Sequence, residues 1–144
     1  MPANTKRPTV IVADDHAAVH PLISRILARE LDVVGNVFDG QELVDATRRL
    51  HPDLVVVDVF MPVLDGIEAV KKLLAGSAPP AVVLISTDIG AENIRRARDA
   101  GVQAVVHKAA AAEFLLPAAR AVLQGQPFGV ADPKRYGPRS PRNS

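Results

Sequence analysis

Residues 54–66 read LVVVDVFMPVLDG, and this stretch decides the fold. Four apolar residues run into a single carboxylate, Asp58; Pro62 follows, then an Asp65-Gly66 turn. A short β-branched run bounded by turn signals reads as a buried strand. Asp58 then stands at or just past the carboxyl end of that strand. In open α/β sheets this is the edge where ligands bind. Taken alone, an Asp ending a strand is more often a turn cap than a reactive group, so the rest of the chain has to decide.

Working outward, the same pattern recurs. TVIVA at 9–13, VVGNV at 33–37, AVVLIS at 81–86 and residues 104–107 are further strand candidates. Helical spacing links Val19, Leu22, Ile23, Ile26, Leu27 and Leu31, with Pro21 either in the first turn or distorting it. A second helix over 41–50 turns Leu43, Val44, Thr47 and Leu50 inward. Ile67, Val70, Leu73 and Leu74 mark a third, and 91–100 a fourth, stopped by Gly101. A last helix runs through Leu115, Ala118, Ala119, Val122 and Leu123, with Pro117 in its first turn or bending it. Five strands alternate with five helices, and the strands are rich in Val, Ile and Leu rather than alternating. This pattern predicts an α/β protein. The expected form, by analogy with other doubly wound sheets of this size, is flavodoxin-like (βα)5 with strand order 2-1-3-4-5.

Asp14 and Asp15 follow the first strand, Asp58 the third, Ser86 the fourth and Lys108 the fifth. In a parallel sheet these positions share one rim. Clustered carboxylates resist ionisation together, and a hard divalent cation such as Mg²⁺ removes that cost. Phosphoryl transfer needs in-line positioning and neutralisation of the equatorial oxygens. Mg²⁺, an ammonium and a hydroxyl cover the three of them, with Asp58 as the nucleophile.

On these residues the chain resembles the receiver domains of response regulators, the CheY-like fold. DxxMPxxDG is complete over 58–66, and the paired Asp, the Ser and the Lys match. The likeness spans roughly residues 8–125. It implies a two-component phosphorelay role: Asp58 accepts a phosphoryl group from a sensor histidine kinase or phosphotransfer protein. Asp15 would ligate Mg²⁺ directly and Asp14 through water, with Asp58 and the Phe60 carbonyl completing the protein ligands. Ser86, with Thr87 as a possible substitute, and Lys108 would hold phosphoryl oxygens. Such a domain is not an enzyme in the ordinary sense; it assists its own phosphorylation and dephosphorylation. ADDH at 13–16, VVGNVFDGQELV and LLPAARAVLQGQPF look most like receivers of LuxR/NarL-like regulators. Those normally carry a helix-turn-helix, which the residues after Gly125 are too few and too apolar-poor to build, so DNA binding is not expected.

Three residues depart from the receiver pattern. Phe60 would lie beside the acyl phosphate and hinder attacking water, predicting slow self-hydrolysis. Asp88 would touch the same water and partly offset the ring. Val105 stands three residues before Lys108, where receivers often have Tyr or Phe, which puts the usual Ser/aromatic coupling in doubt. Ala109 follows the lysine in place of the common Pro or Asp. His16 and His20 read as surface or cap residues, and His107 as a partly buried strand histidine. The fourth helix, fifth strand and fifth helix form the expected output face toward an unknown partner or a second copy. Ile89, Phe114 and Leu115 are its candidate apolar anchors, and Arg96 reads as solvated. Two other readings stand beside this one: a phosphorylation-independent interaction module, and a DNA-binding regulator truncated at its linker.

Composition bounds the rest. The chain has 144 residues, enough for one domain, with net charge +1, 3% aromatics and no Cys or Trp. That argues against a base-stacking platform, disulfides and thiolate metal sites. No zinc spacing, P-loop or GxSxG elbow is present. The expected organisation is a flexible N-terminus over 1–8, a receiver over 9–125 and a disordered basic tail over 126–144, carrying Lys134, Arg135, Arg139 and Arg142. MPANTKRP is not a signal peptide, and the apolar runs are too short to span a bilayer. A cytoplasmic location with no membrane contact is expected.

Overall fold

The computed structural model describes residues 6–129. Five strands, β1 (Thr9–Ala13), β2 (Asp32–Val37), β3 (Leu54–Asp58), β4 (Ala81–Ser86) and β5 (Ala104–His107), form one sheet in the order β2-β1-β3-β4-β5. All four pairings are parallel. Helices α1 (Val19–Leu27), α2 (Gly40–Leu50), α3 (Gly66–Leu74), α4 (Ala91–Asp99) and α5 (Ala111–Leu123) connect and flank the strands. This is the flavodoxin-like order that the sequence predicts.

Successive strand side chains point to opposite faces, and the core divides accordingly. Ile11, Val55, Val57 and Leu84 pack with Leu43, Ile67, Val70 and Ile94 of α2, α3 and α4. Val10, Val12, Val56 and Ile85 pack with Ile23, Leu27, Leu115 and Ala118 of α1 and α5. Both faces of the central strands are therefore dry, which accounts for their unbroken apolar run.

Helix starts follow their side chains. Asp39 accepts from Glu42 N at 2.8 Å and Asp65 from Glu68 N at 2.9 Å, capping α2 and α3. Pro21 lies in the first turn of α1, where its missing N–H costs nothing. Pro117 does not lie in a first turn. A 3-10 turn over Lys108–Ala110 precedes α5, which begins at Ala111, so Pro117 sits inside the helix and removes one intrahelical bond. Leu22 is 62% exposed and Leu50 40%, although periodicity turns both inward.

The chain stays on the sheet beyond the expected boundary at Gly125. Phe128 N donates to Gln103 O at 2.8 Å and Val105 N to Phe128 O at 3.0 Å. Ala104 and Gly129 form an antiparallel bridge, and the Phe128 ring sits 6.5 Å from that of Phe114. A detached tail is therefore wrong for residues 126–129, which cover the edge of β5. The remainder of the expected tail, and residues 1–5 of the expected N-terminal segment, lie outside the described residues. No helix among the described residues is long and apolar enough to cross a membrane.

Candidate phosphoacceptor and metal site

Four of the five strands deliver a candidate group to the carboxyl rim. Asp58 is the last residue of β3 and Ser86 the last of β4; Asp14 immediately follows β1 and Lys108 follows β5. Asp14, Asp58 and Ser86 are buried, Asp15 is exposed, and Lys108 is mostly covered. The sheet thus gathers groups from distant parts of the chain, at strand ends and in the residues just past them.

Lys108 is central to the electrostatics. Its ammonium donates to Asp58 Oδ2 at 3.1 Å and lies 2.7 Å from Asp14 Oδ2. Burial opposes its charge, but the contacts with Asp14 and Asp58 outweigh that and hold it above the usual lysine range. Asp58 shows the opposite balance. Burial raises its carboxyl above the usual range and the nearby Asp14 charge adds to this, with Lys108 and the Phe60 N–H opposing. The Phe60 N–H reaches Asp58 Oδ1 at 3.4 Å.

Asp14 Oδ1 accepts from His16 N at 2.9 Å. Its Oδ2 is buried and lies 2.7 Å from the Lys108 ammonium. Among the described residues, that oxygen is engaged by the Lys108 ammonium alone. One ligand atom from each of Asp14, Asp15, His16 and Asp58 lies within 4.8 Å of the others. The three carboxylates fit a hard divalent ion by charge, donor type and spacing.

Of the two histidines near this cluster, His16 is exposed, as expected, but it also touches the acidic pair. His16 Nδ1 stands 3.1 Å from Asp14 Oδ1 and 3.1 Å from Asp15 Oδ1. The adjacency in Asp14-Asp15-His16 is the signal that was available. His20 is not a surface residue: it is buried, with Nε2 2.8 Å from Asp14 O and Nδ1 2.8 Å from Asn36 Oδ1. It ties the loop bearing the acidic pair to β2. His107 is part-buried, as expected, and its Nδ1 accepts from Ala109 N at 3.0 Å.

The flanking residues settle as follows. The Ser86 hydroxyl donates to Asp88 O at 3.0 Å and accepts from Asp88 N at 2.9 Å, so its proton is committed to the β4–α4 loop. Thr87 is exposed. Asp88 is exposed too, and its carboxylate accepts from Gly90 N at 2.9 Å. Phe60 is 48% exposed at the rim. Val105 is buried among the α4-side core residues. Leu115 is fully buried, and Ile89 and Phe114 are partly buried against the core, so the expected apolar anchors are not free. Arg96 is not simply solvated, since Nη2 donates to Asp65 Oδ2 at 2.9 Å.

The chain belongs to the response regulator receiver domain family, which it matches over residues 10–120. Among individual relatives, it is 36% identical over 110 residues to the transcriptional regulatory protein PdtaR of Mycobacterium tuberculosis. That match covers 76% of this chain and 53% of PdtaR. It is also 36% identical over 121 residues to the response regulator GacA of Pseudomonas aeruginosa, covering 83% of this chain and 56% of GacA. The chain thus spans about half the length of these two relatives. Among solved structures, a LuxR-family two-component response regulator from Aurantimonas sp. SI85-9A1 superposes with a TM-score of 0.83 at 25% identity, covering 91% of this chain and 95% of that one. The response regulator domain of Thermotoga maritima CheB superposes with a TM-score of 0.77 at 29% identity, covering 85% and 100%.

Proposed function

We propose that this receiver accepts a phosphoryl group on Asp58 from a histidine kinase or phosphotransfer protein and passes the signal on by protein contact. The observation that carries the reading is the joint placement of Asp14, Asp58 and Lys108 at one rim, with one ammonium shared between two buried carboxylates.

Asp14, Asp15 and Asp58, with the Phe60 carbonyl, would hold Mg²⁺. The ion supplies charge neutralisation for the carboxylates and for one phosphoryl oxygen. A carboxylate oxygen of Asp58 forms the new O–P bond as the donor's N–P bond breaks. The electron pair leaves on the donor imidazole, which takes up a proton. Lys108 is already within reach of Asp58 and neutralises a second phosphoryl oxygen. Ser86 serves a third only after its hydroxyl lets go of Asp88. Thr87 is the exposed alternate hydroxyl, and Asp88 contributes through that same loop. Phe60 shields the acyl phosphate from water. The output face is α4, β5 and α5, toward a partner protein or a second copy of the chain.

Binding of beryllium trifluoride, a mimic of the phosphoryl group, tests this by fluorine NMR. A bound signal that requires Mg²⁺ and vanishes in Asp58→Asn and Lys108→Ala supports the reading. A signal unchanged in Asp58→Asn contradicts it.

A further inference from the structure

The loop that follows Asp58 is fastened from outside the site. Val59 N donates to Ile85 O at 3.1 Å, and Val59 O accepts from Gly66 N at 2.8 Å, closing the loop over residues 60–65. Gly66 packs tightly: a Cβ there would lie 2.1 Å from the carbonyl oxygen of Asp58. The Gly66 backbone therefore abuts that of Asp58. Asp65 has two tethers. Its Oδ1 accepts from Glu68 N, capping α3, and its Oδ2 accepts from Arg96 Nη2 at 2.9 Å. Arg96 lies in the last turn of α4. Its neighbour Arg95 is held by Glu92 and Asp99 on the same helix, whereas Arg96 reaches across to the site loop. The side chains of this pair are 29% and 34% exposed, so bulk screening is reduced but not absent.

We infer that Arg96 is a positioning residue. Through Asp65 it holds the loop that carries Phe60 and abuts Asp58, and so links the position of α4 to metal binding and phosphoryl acceptance. The link is reciprocal. A partner carboxylate that draws Arg96 away from Asp65 loosens the acceptor loop, and loading of Asp58 alters the hold on α4. The chemical part of this inference rests on the role proposed for Asp58; the mechanical part does not.

The test is amide hydrogen exchange on the full metal-free chain, comparing wild type with Arg96→Gln, Asp65→Asn, the double variant and Arg96→Lys. Asparagine keeps a capping oxygen for α3 but loses the ion pair. Exchange over residues 59–66 should quicken about threefold in either single variant, the scale expected for a part-exposed ion pair. The double variant should match the singles rather than add to them, and Arg96→Lys should restore most of the protection. Mg²⁺ affinity, measured by calorimetry, should weaken by a similar factor in Arg96→Gln. Wild-type exchange over 59–66 in Arg96→Gln overturns the inference. So does faster exchange spread evenly over the whole sheet, which would mark a purely stabilising pair. Wild type is also treated with Mg²⁺ and acetyl phosphate. Failure to take phosphate there contradicts the role of Asp58 and leaves the exchange result to decide the mechanical link.

Discussion

Lys108 Nζ donates to Asp58 Oδ2 at 3.1 Å across fifty residues of sequence. The contact exists because β3 and β5 flank β4 and end at the same rim. It places a cation against the candidate phosphoacceptor, and it keeps two buried carboxylates compatible with a folded domain.

Metal should stabilise the fold. Binding at a native-only site adds RT ln(1 + [L]/Kd), about 2.7 kcal/mol at a hundredfold excess over Kd. A rise in Tm with Mg²⁺ is expected by calorimetry, lost in Asp15→Ala and in Asp14→Asn. Equal rises in those variants would remove the acidic cluster from the metal site.

Burial raises the Asp58 carboxyl, so in metal-free protein the folded state binds its proton more tightly than the unfolded state does. Stability then falls as pH rises from the ordinary carboxylate range through the raised value. Asp58→Asn should therefore be more stable than wild type at neutral pH, by about 1 kcal/mol. The gap should shrink toward acid pH in urea titrations. A gap that widens toward acid would contradict the sign.

Val63 has φ of 68° and is 80% exposed. A β-branched residue in the left-handed region costs roughly 1–2 kcal/mol. Val63→Asn should recover about 1 kcal/mol of that, read from denaturation midpoints at unchanged m-value. A destabilised variant would contradict backbone strain at Val63.

Phe60, two residues past Asp58 and half exposed at the rim, should slow attack of water on the acyl phosphate. Phe60→Asn is expected to lose phosphate about fivefold faster, a barrier change on the order of 1 kcal/mol. Equal decay of the two phosphorylated proteins, followed by mass, would dismiss the shielding role.

Much of this was legible from strand ends alone. Apolar runs terminating at Ala13, Asp58, Ser86 and His107 fixed both the sheet and the rim, because a doubly covered parallel strand leaves a plain compositional mark. What escaped was set by tertiary contacts with no local signature. His20 has the spacing of a helix face, yet it is buried because Asp14 O and Asn36 lie across from it. Arg96 looks like any helix arginine until Asp65 is placed opposite. Phe128 follows a helix-ending glycine in a polar stretch, and its pairing with Gln103 and Val105 depends on β5 having a free edge. Leu22 and Leu50 fit the period but stay 62% and 40% exposed among the described residues.

The central claim, phosphoryl acceptance on Asp58, is tested most directly by intact mass after incubation with Mg²⁺ and acetyl phosphate, beside Asp58→Ala and a magnesium-free control. The account predicts a gain of one phosphate in wild type, absent from both controls. A gain that persists in Asp58→Ala, or no gain in wild type shown separately to bind Mg²⁺ and offered a phosphorylated histidine donor, would contradict it.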